Sequence, residues 1–495
     1  MAKFDYDMIV IGGGSAGLTS SGIAANFGAK TLMVEANRLG GDCTWTGCIP
    51  SKTILKAGKI ARQIREAGQF GISDSVPEID FKKVMRHVDA TRKKVYEEAD
   101  RPEIFEKMGV DVIFGKASFK DSHRIQINLQ SGETRTMSSK KFIIATGSKA
   151  MVPPIEGLET IEYLTNESLF EIEKLPQHLI IIGGGPIGIE MAQAFNSLGS
   201  NVTVLDMADR ILTNDDPELV EILFNELKKQ GVKFKLNASI QKITRNNDSG
   251  ITVHLEDEGN ATVIKGDALL LATGRKANVS DLNLEAAGVS YGKKGITINE
   301  NCRTNIKHIY AAGDVTGRYQ FTHMSEHMAK TSATKALLKF VPQKLDTKNV
   351  PWITFTDPEL AHVGATEKQL QEEGKKFEVY RFPYSKIDRA IAEGQEIGMI
   401  KVFAKKISGK ILGATIVGAH AGELISEYAL AMKNGISLKK FSDTIHPYPS
   451  WSLGARRAAD QWYIKNQSEW QVKLIKTLFG YKGEVPDFSD KNRIV

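Results

Sequence analysis

The chain has 495 residues but only three cysteines, too few for the disulfide framework of a small secreted protein. It lacks any run of about eighteen apolar residues, so we expect no membrane-spanning helix. A signal peptide is not indicated either, because the apolar run 8–11 leads directly into a glycine cluster, which is typical of a first β-strand. These absences predict a cytoplasmic protein.

A dense cluster of basic residues is also missing, and the formal net charge is only +6. Proteins that bind nucleic acids or membrane surfaces concentrate lysine and arginine, so neither class is indicated. A chain of this length cannot be organised around one hydrophobic core, which predicts two to four domains. The composition is that of a globular multidomain protein with a charge mildly favourable to anionic cofactors.

One pattern occurs twice: an apolar strand, a glycine-rich turn, a helix of small residues and a strand that ends in a carboxylate. The copies span 5–35 and 178–206, and they end at Glu35 and Asp206. In this context the glycines let backbone N–H groups approach a pyrophosphate, while the carboxylate accepts a ribose hydroxyl. A turn that binds nothing is the alternative for either copy, but the duplication favours two bound dinucleotides. The glycines in question are Gly12, Gly14 and Gly17 in the first copy and Gly183, Gly185 and Gly188 in the second.

Two further apolar strands end alike, in Ala-Thr-Gly at Gly147 and Gly274, and each would close one nucleotide-binding half. The alternating segment 239–256 predicts a small β-meander. After about Val350, segments 401–404 and 410–418 predict antiparallel strands, and 423–433 predicts a helix. The fold class is therefore α/β, with two Rossmann-like dinucleotide-binding domains and a C-terminal α+β domain.

Asp206 also bears on which nicotinamide nucleotide binds the second motif. A carboxylate at this position repels a 2′-phosphate, so NADH is favoured over NADPH. No arginine is adjacent to Asp206, although Arg210 follows shortly after it.

Cys43 and Cys48 lie five residues apart in the segment 40–52. Residues with this spacing on a regular helix are rotated by roughly 140°, so a disulfide between them needs a distorted first turn. Gly47 and Pro50 can provide that distortion. Two buried structural cysteines are the alternative, and a zinc site is disfavoured because the chain offers no second pair of ligands.

The segment 40–52, flanked by the two nucleotide motifs, resembles the flavoprotein disulfide reductases, which include dihydrolipoyl dehydrogenase, glutathione reductase and mercuric reductase. The resemblance covers about residues 5–460 and includes Ala-Thr-Gly-Arg at 272–275, Ala-Ala-Gly-Asp at 311–314 and the run from 411 to 423. It implies FAD, a nicotinamide dinucleotide and a homodimer built through the third domain. The implied organisation is an FAD-binding domain at 1–150 and 275–347, an NAD(P)-binding domain at 151–274, a dimerisation domain at 348–470 and a tail at 471–495.

The resemblance also implies roles for single residues. Cys48 is expected to be the thiolate that faces the flavin, and Cys43 the thiol that attacks the substrate. Lys52 and Glu190 match the ion pair beside the flavin. The implied FAD ligands are Gly12, Gly14, Gly17, Glu35, Gly147 and Asp314, and the implied NAD ligands are Gly183, Gly185, Gly188, Asp206 and Gly274.

The segment 444–453 departs from the family pattern, in which a histidine base and a glutamate partner act across the dimer. The gapless register puts Tyr448 in place of the histidine and Leu453 in place of the glutamate, with His446 two residues before Tyr448. A tyrosine, with a pKa near 10, is a poor base for a dithiol. Mercuric reductases also carry a tyrosine here, but this chain has no C-terminal cysteine pair of the kind that delivers metal to them.

The sequence therefore favours electron transfer from NADH through the flavin and the cysteine pair to a small disulfide or a thiol-bound metal ion. A dihydrolipoyl dehydrogenase that tolerates Tyr448, a diaphorase that reduces quinones or oxygen, and a non-enzymatic redox sensor remain as alternatives. Cys302 is expected to be a buried filler, and His323 and His327 to lie near the flavin edge or to have packing roles. Segment 461–481 favours a helix that packs on the dimer over one that contacts a membrane.

Overall fold

The protein is described as a computed structural model covering residues 4–245, 250–257, 260–338, 340–342 and 344–488. Its contacts divide these residues into two compact units. The first unit contains 4–209 and 232–346, and the second contains 210–231 and 347–488. The α-helices are α1 (Ser15–Asn26), α2 (Gly41–Trp45), α3 (Cys48–Arg65), α4 (Phe81–Val95), α5 (Pro102–Lys107), α6 (Pro186–Ser197), α7 (Pro217–Lys229), α8 (Thr322–Leu337), α9 (Glu367–Glu372), α10 (Asp388–Ala392), α11 (Ala421–Lys433), α12 (Leu438–Ser442), α13 (Ser452–Asn466) and α14 (Glu469–Phe479).

The strands follow the alternation that the sequence predicts. They are β1 (Tyr6–Ile11), β2 (Thr31–Glu35), β3 (Val110–Asp121), β4 (Arg124–Leu129), β5 (Thr134–Ile144), β6 (Ser148–Ala150), β7 (His178–Ile182), β8 (Asn201–Leu205), β9 (Lys233–Lys235), β10 (Ser239–Arg245), β11 (Ile251–Asp257), β12 (Asn260–Gly266), β13 (Ala268–Leu271), β14 (Arg275–Ala277), β15 (Tyr291–Gly292), β16 (Gly295–Ile296), β17 (Ile309–Ala311), β18 (Pro351–Thr354), β19 (Glu359–Gly364), β20 (Glu378–Pro383), β21 (Met399–Ala404) and β22 (Ile411–Gly418).

The first unit is built on two parallel sheets. In the first sheet β3, β2, β1, β5 and β17 lie side by side in that order, all parallel. The far ends of β3 and β5 continue into an antiparallel meander with β4. In the second sheet β13, β7, β8 and β9 are parallel. Both predicted strand–turn–helix–strand units are confirmed, and so is the meander, which forms β10, β11 and β12.

The two glycine turns have nearly the same geometry. Gly12 and Gly183 have φ angles of 109° and 117°, values that a residue with a side chain rarely adopts. A Cβ at Gly17 would collide with the carbonyl oxygen of Gly12, and a Cβ at Gly188 with that of Gly183. The repeat seen in the sequence is therefore also a repeat of backbone positions, with each helix starting in contact with its own turn.

The two Ala-Thr-Gly turns are joined by a small ribbon. Immediately after Gly147 and Gly274 the chain forms β6 and β14, which pair in antiparallel fashion. The second sheet is therefore inserted into the first between β5 and β17. The two ends of the insertion lie next to each other.

The second unit is an antiparallel sheet in the order β18, β19, β22, β21, β20, which confirms the predicted α+β domain. Its core includes buried residues of α11 and α13. Segment 210–231, which contains α7, belongs to this unit through a buried charge cluster. Lys401 is 2% exposed and lies 2.8, 2.8 and 2.7 Å from carboxylate oxygens of Asp216, Glu218 and Glu367.

The C-terminal region ends in α14, which has a capping box at Ser468 and no buried residue. This helix begins two residues before the predicted start of the tail at 471. None of the helices in the described ranges has both the length and the apolar character needed to cross a membrane.

We expect Gly188→Ala to destabilise the first unit by about 1–3 kcal/mol, because the new methyl group has to displace the backbone of the turn. Gly185→Ala is the matched control, since a Cβ at Gly185 has no neighbour within 4 Å. Its cost should stay within about 1 kcal/mol, the cost of alanine at a helix N-cap. Urea unfolding of both variants checks this, and equal losses of stability would contradict it.

Lys401→Met should destabilise the second unit by about 3–5 kcal/mol, because Asp216 and Glu367 lose their cation and Glu218 keeps only Arg381. Lys406→Met is the control, because the side chain of Lys406 is 62% exposed and its ion pair is long, at 3.8 Å. Urea unfolding followed by tryptophan fluorescence measures the difference. An unchanged transition in Lys401→Met would show that the carboxylates do not depend on this lysine.

Candidate active site

The two candidate redox cysteines lie on different helices that meet at a break. Cys43 is in the short helix α2, which ends at Trp45, and Cys48 is the first residue of α3. Thr46 and Gly47 separate the two helices, and both have non-helical backbone angles. The chain thus departs from a regular helix between the cysteines, as the spacing predicts. Both residues are free thiols in this structure.

The thiols share one proton unequally. The hydrogen bond from Cys43 lowers the pKa of Cys48 to about 6, against the opposing effect of burial, and the positive charge of Lys52 also contributes. The same hydrogen bond, together with burial, raises the pKa of Cys43 far above its usual range. These opposite shifts favour a thiol on Cys43 and a thiolate on Cys48 in the reduced pair. The position of Cys48 at a helix N-terminus suits a negative charge.

Lys52 and Glu190 form an ion pair next to the cysteines. Lys52 lies one turn beyond Cys48 on α3, and its Nζ is 2.7 Å from Glu190 Oε2. Glu190 is 5% exposed and belongs to α6, which follows the second glycine turn. The ion pair connects the cysteine helix to the nucleotide helix, and the structure brings together four of the predicted catalytic residues in this way.

Trp45 anchors the loop between the cysteines. Its Nε1 donates to the Leu39 carbonyl at 2.7 Å, and Arg92 donates to the Trp45 carbonyl at 3.0 Å. The guanidinium of Arg38 lies 3.8 Å from the centre of the Trp45 ring, and Tyr96 packs on the same indole. Arg92 is 3% exposed. The sequence did not predict its burial, because it lies in a helix that contains several other lysines and arginines.

Thr322 is a second residue that the sequence interpretation missed. Its hydroxyl oxygen lies 3.3 Å from Cys48 Sγ, at the start of α8. A hydroxyl at this distance can donate to a thiolate, and it lowers the pKa of Cys48 after the larger effects of Cys43 and burial. The nearest signal in the sequence is the neighbouring His323, whose ring stacks on Phe321 with 5.4 Å between centroids.

Asp314 is half-buried at the turn that follows β17, and desolvation raises its pKa. Ser148 donates its hydroxyl to Asp314 Oδ2 at 2.6 Å. Arg275 donates from Nε to Ser148 Oγ at 2.7 Å and also bonds to the carboxylate of Asp42, which precedes Cys43. Gly147 and Gly274, the last residues of the Ala-Thr-Gly turns, come directly before Ser148 and Arg275.

The glycine turns fit the dinucleotides that the motifs imply. Glu35 accepts the Gly13 N–H at 2.6 Å and the Asn37 N–H at 2.8 Å. In the second copy, Asp206 accepts the Gly184 and Ala208 N–H groups at 2.5 and 2.8 Å. These bonds fix each carboxylate at the end of its strand, where a ribose would lie.

The helix ends suit the phosphates in the same way. Gly14 and Gly185 are the N-cap residues of α1 and α6, and neither N-terminus is capped by a side chain. An uncapped N-terminus leaves backbone N–H groups to bind a pyrophosphate.

His446 and Tyr448 lie in the second unit, in contrasting surroundings. The side chain of His446 is only 5% exposed, and its Nε2 is 2.7 Å from Glu427 Oε1. Its Nδ1 is 2.9 Å from the Thr444 carbonyl oxygen, so both ring nitrogens are engaged. Tyr448 is 71% exposed. Of these two side chains, only that of Tyr448 is exposed.

Comparison with known proteins agrees with this geometry. The model of the family described as pyridine nucleotide-disulphide oxidoreductase matches residues 6–329, and that of its dimerisation domain matches residues 350–459. The chain belongs to the pyridine nucleotide-disulphide oxidoreductases. It is therefore a flavoprotein oxidoreductase of a family that uses FAD and NAD(P)H, and its dimerisation domain supports a homodimer.

Its relatives within the family carry different names. The chain is 36% identical to a mercuric reductase of Staphylococcus aureus, with 92% of this chain and 82% of the relative covered. It is 34% identical to a dihydrolipoyl dehydrogenase of Bacillus subtilis, over 92% and 97% of the two chains. A structure described as the Cu(II) complex of the HOCl-induced flavoprotein disulfide reductase RclA from Escherichia coli has a TM-score of 0.83 at 28% identity and covers 94% of this chain and 100% of its own.

Lowering the pH of this oxidoreductase in its reduced form should protonate Cys48 with a midpoint near pH 6. Its pKa lies below the ordinary thiol value, so the thiolate is present above this pH and lost below it. In the two-electron-reduced form, which has reduced cysteines and an oxidised flavin, the absorbance band that a thiolate gives beside the flavin measures the fraction of Cys48 that is ionised.

Two variants should move this midpoint in opposite directions, each by up to about one pH unit. Lys52→Gln removes a positive charge and should raise it, whereas Glu190→Gln removes a negative charge and should lower it. Lys56→Gln, an exposed position one turn further along α3, is the control and should leave it unchanged. Shifts of the same sign in both variants would contradict this account.

Proposed function

We propose that this protein transfers electrons from NADH through FAD to the Cys43–Cys48 pair, and from there to a small disulfide or a thiol-bound metal ion. The observation that carries the proposal is the position of Cys48 at the start of α3, where the Thr322 hydroxyl oxygen lies 3.3 Å from its Sγ and Lys52, one turn further on, pairs with Glu190. The hydrogen bond between the cysteines supports it, because this bond lowers the pKa of Cys48 and raises that of Cys43. FAD, when bound, accepts hydride and passes on electrons, while Cys48 forms and breaks the disulfide with Cys43. With a disulfide acceptor, Cys43 would lose its proton as its sulfur attacks, form a mixed disulfide and release one acceptor thiol, and Cys48 would then displace the second thiol and re-form the Cys43–Cys48 disulfide. A thiol-bound metal ion would instead exchange its thiol ligands for the two cysteine sulfurs, and the displaced thiols would take up the proton.

The cofactor positions follow from the repeated motif. We propose that Gly12, Gly14, Gly17 and Glu35 hold the adenosine and pyrophosphate of FAD, and that Gly183, Gly185, Gly188 and Asp206 hold NADH. Gly147 and Gly274 would complete the two sites at their Ala-Thr-Gly turns, and Asp314 would face the ribityl chain. The domain boundaries at 150, 274, 347 and 470 belong to the same proposal.

The preference for NADH over NADPH is supported by Asp206 and Arg210. The Asp206 carboxylate, fixed by two N–H groups, would repel a 2′-phosphate. Arg210 donates instead to the carbonyl oxygens of Asp215 and Thr213, at 3.0 and 2.6 Å, and is held by these bonds rather than free to bind a phosphate.

The chemical class of the acceptor is inferred from the chemistry of Tyr448 and of the neighbouring His446. We propose that two copies assemble so that Tyr448 of one protomer faces the cysteine pair of its partner. A tyrosine is a poor general base at neutral pH, and His446, the nearby histidine, is held by Glu427 and Thr444. This arrangement favours an acceptor that binds thiolates directly, such as a soft metal ion, over dihydrolipoamide chemistry, which requires a base.

Two acceptors measured side by side test the proposal: lipoamide, and Hg(II) buffered by excess thiol, each with NADH. We expect fast turnover with Hg(II) and slow turnover with lipoamide. Cys43→Ser should abolish turnover with both but spare reduction of a quinone directly from the flavin. Fast lipoamide turnover by the unaltered enzyme would favour the dihydrolipoyl dehydrogenase alternative, and full quinone turnover with no metal or lipoamide activity would favour the diaphorase.

Tyr448→His should raise lipoamide turnover by at least about tenfold, because a histidine with a pKa near neutrality supplies the missing base. His446→Gln is the matched control, since His446 is engaged within its own unit, and it should change lipoamide turnover less than about threefold. Steady-state kinetics with NADH in excess measure both variants. A large loss in His446→Gln would instead show that His446 is the base.

A further inference from the structure

A buried carboxyl group is hydrogen-bonded to the residue that follows Cys43. Asp100 is 8% exposed and ends a π-helix, Tyr96–Asp100, that continues from α4. Thr44, the residue after Cys43, donates its hydroxyl to Asp100 Oδ2 at 2.6 Å. Within the described part of the chain, no lysine, arginine or histidine forms an ion pair with this carboxyl group. Burial raises the pKa of Asp100, and the bond from Thr44 opposes that effect.

The π-helix contacts both residues that follow Cys43. Its last residue, Asp100, accepts the bond from Thr44, and its first residue, Tyr96, packs on Trp45 with 5.2 Å between ring centroids. An extra residue in a helical turn is unfavourable and recurs at functional sites. A buried carboxyl without a cation is also costly. Both costly features contact the residues that directly follow Cys43.

In the reduced cysteine pair one proton can be held by either sulfur, so nearby charges determine which sulfur is the thiolate. Two-electron reduction breaks the Cys43–Cys48 bond, takes up two electrons supplied by NADH and one proton, and leaves one thiol and one thiolate. Lys52, four residues beyond Cys48, stabilises a thiolate on Cys48. A negative charge behind Cys43 has the complementary effect, because it opposes a second negative charge there.

We propose that Asp100 is a positioning residue that, through Thr44, keeps the proton of the reduced pair on Cys43 and so leaves the thiolate on Cys48. The inference rests on the proposed path of electrons through this pair. Under this proposal Lys52 stabilises a thiolate on Cys48, whereas Asp100 disfavours a thiolate on Cys43.

Alkylation of Cys43 by iodoacetamide, followed by mass spectrometry as a function of pH in the reduced holoenzyme, tests the proposal. Because the pKa of Cys43 lies far above its usual range, the alkylation rates of the variants are compared at each pH, and Asp100→Asn should raise the rate at pH 8 by up to about tenfold, the effect of a pKa lower by about one unit. Thr44→Val removes the bond that favours ionised Asp100 and should also raise the alkylation rate of Cys43. Glu98→Gln, on the same π-helix and 68% exposed, is the control and should leave the profile unchanged.

Reduction is carried out in parallel with NADH and with dithiothreitol, which is then removed. A pair that only dithiothreitol reduces would overturn the proposed function while still allowing the role of Asp100 to be read. An unchanged Cys43 profile in both Asp100→Asn and Thr44→Val would overturn the inference. If Asp100→Asn does not retain FAD, Thr44→Val decides alone, and the conservative Thr44→Ser should keep the original profile.

Discussion

Two backbone contacts position the N-termini of α1 and α6 in the first unit. Helix α1 starts so close to its turn that a side chain at Gly17 would strike the Gly12 carbonyl, and α6 repeats this with Gly188 and Gly183. The contact directs each helix N-terminus at the turn and leaves it without a side-chain cap. In α6 it also fixes Glu190, which pairs with Lys52 one turn beyond Cys48. The electrostatics of the cysteines thus depend on a glycine contact in a different motif.

Much of this could be predicted from the sequence, because the motifs are local. A glycine turn between an apolar strand and a helix sets its own geometry, and both copies form as expected. The break between Cys43 and Cys48 follows from their spacing and from Gly47. The dimerisation domain was predicted from a change in the secondary-structure pattern after about Val350 and from the family resemblance. The match over residues 350–459 confirms it. The roles of individual site residues remain predictions.

The rest could not be predicted because it depends on burial that only the tertiary structure creates. Three residues of the site, Arg92, Asp100 and Thr322, come from separate segments. In the sequence around each of them, nothing distinguishes the residue from an ordinary polar residue on the surface. Lys401 lies in an apolar strand, yet it is neutralised by three carboxylates, two of them from segment 210–231. His446 was singled out by its sequence position, and the structure adds that both ring nitrogens are hydrogen-bonded within the unit, while its role remains a prediction.

The pairing of β6 with β14 has a consequence for the history of the fold. The chain leaves the first sheet after β5 and returns before β17 through two hydrogen-bonded strands, so the inserted segment begins and ends at one place. A domain whose ends are adjacent can enter a host protein at a single turn without breaking a strand. An ancestor with one nucleotide-binding sheet could therefore have acquired the second by grafting a duplicate of its own first motif into that turn, with the host sheet left intact.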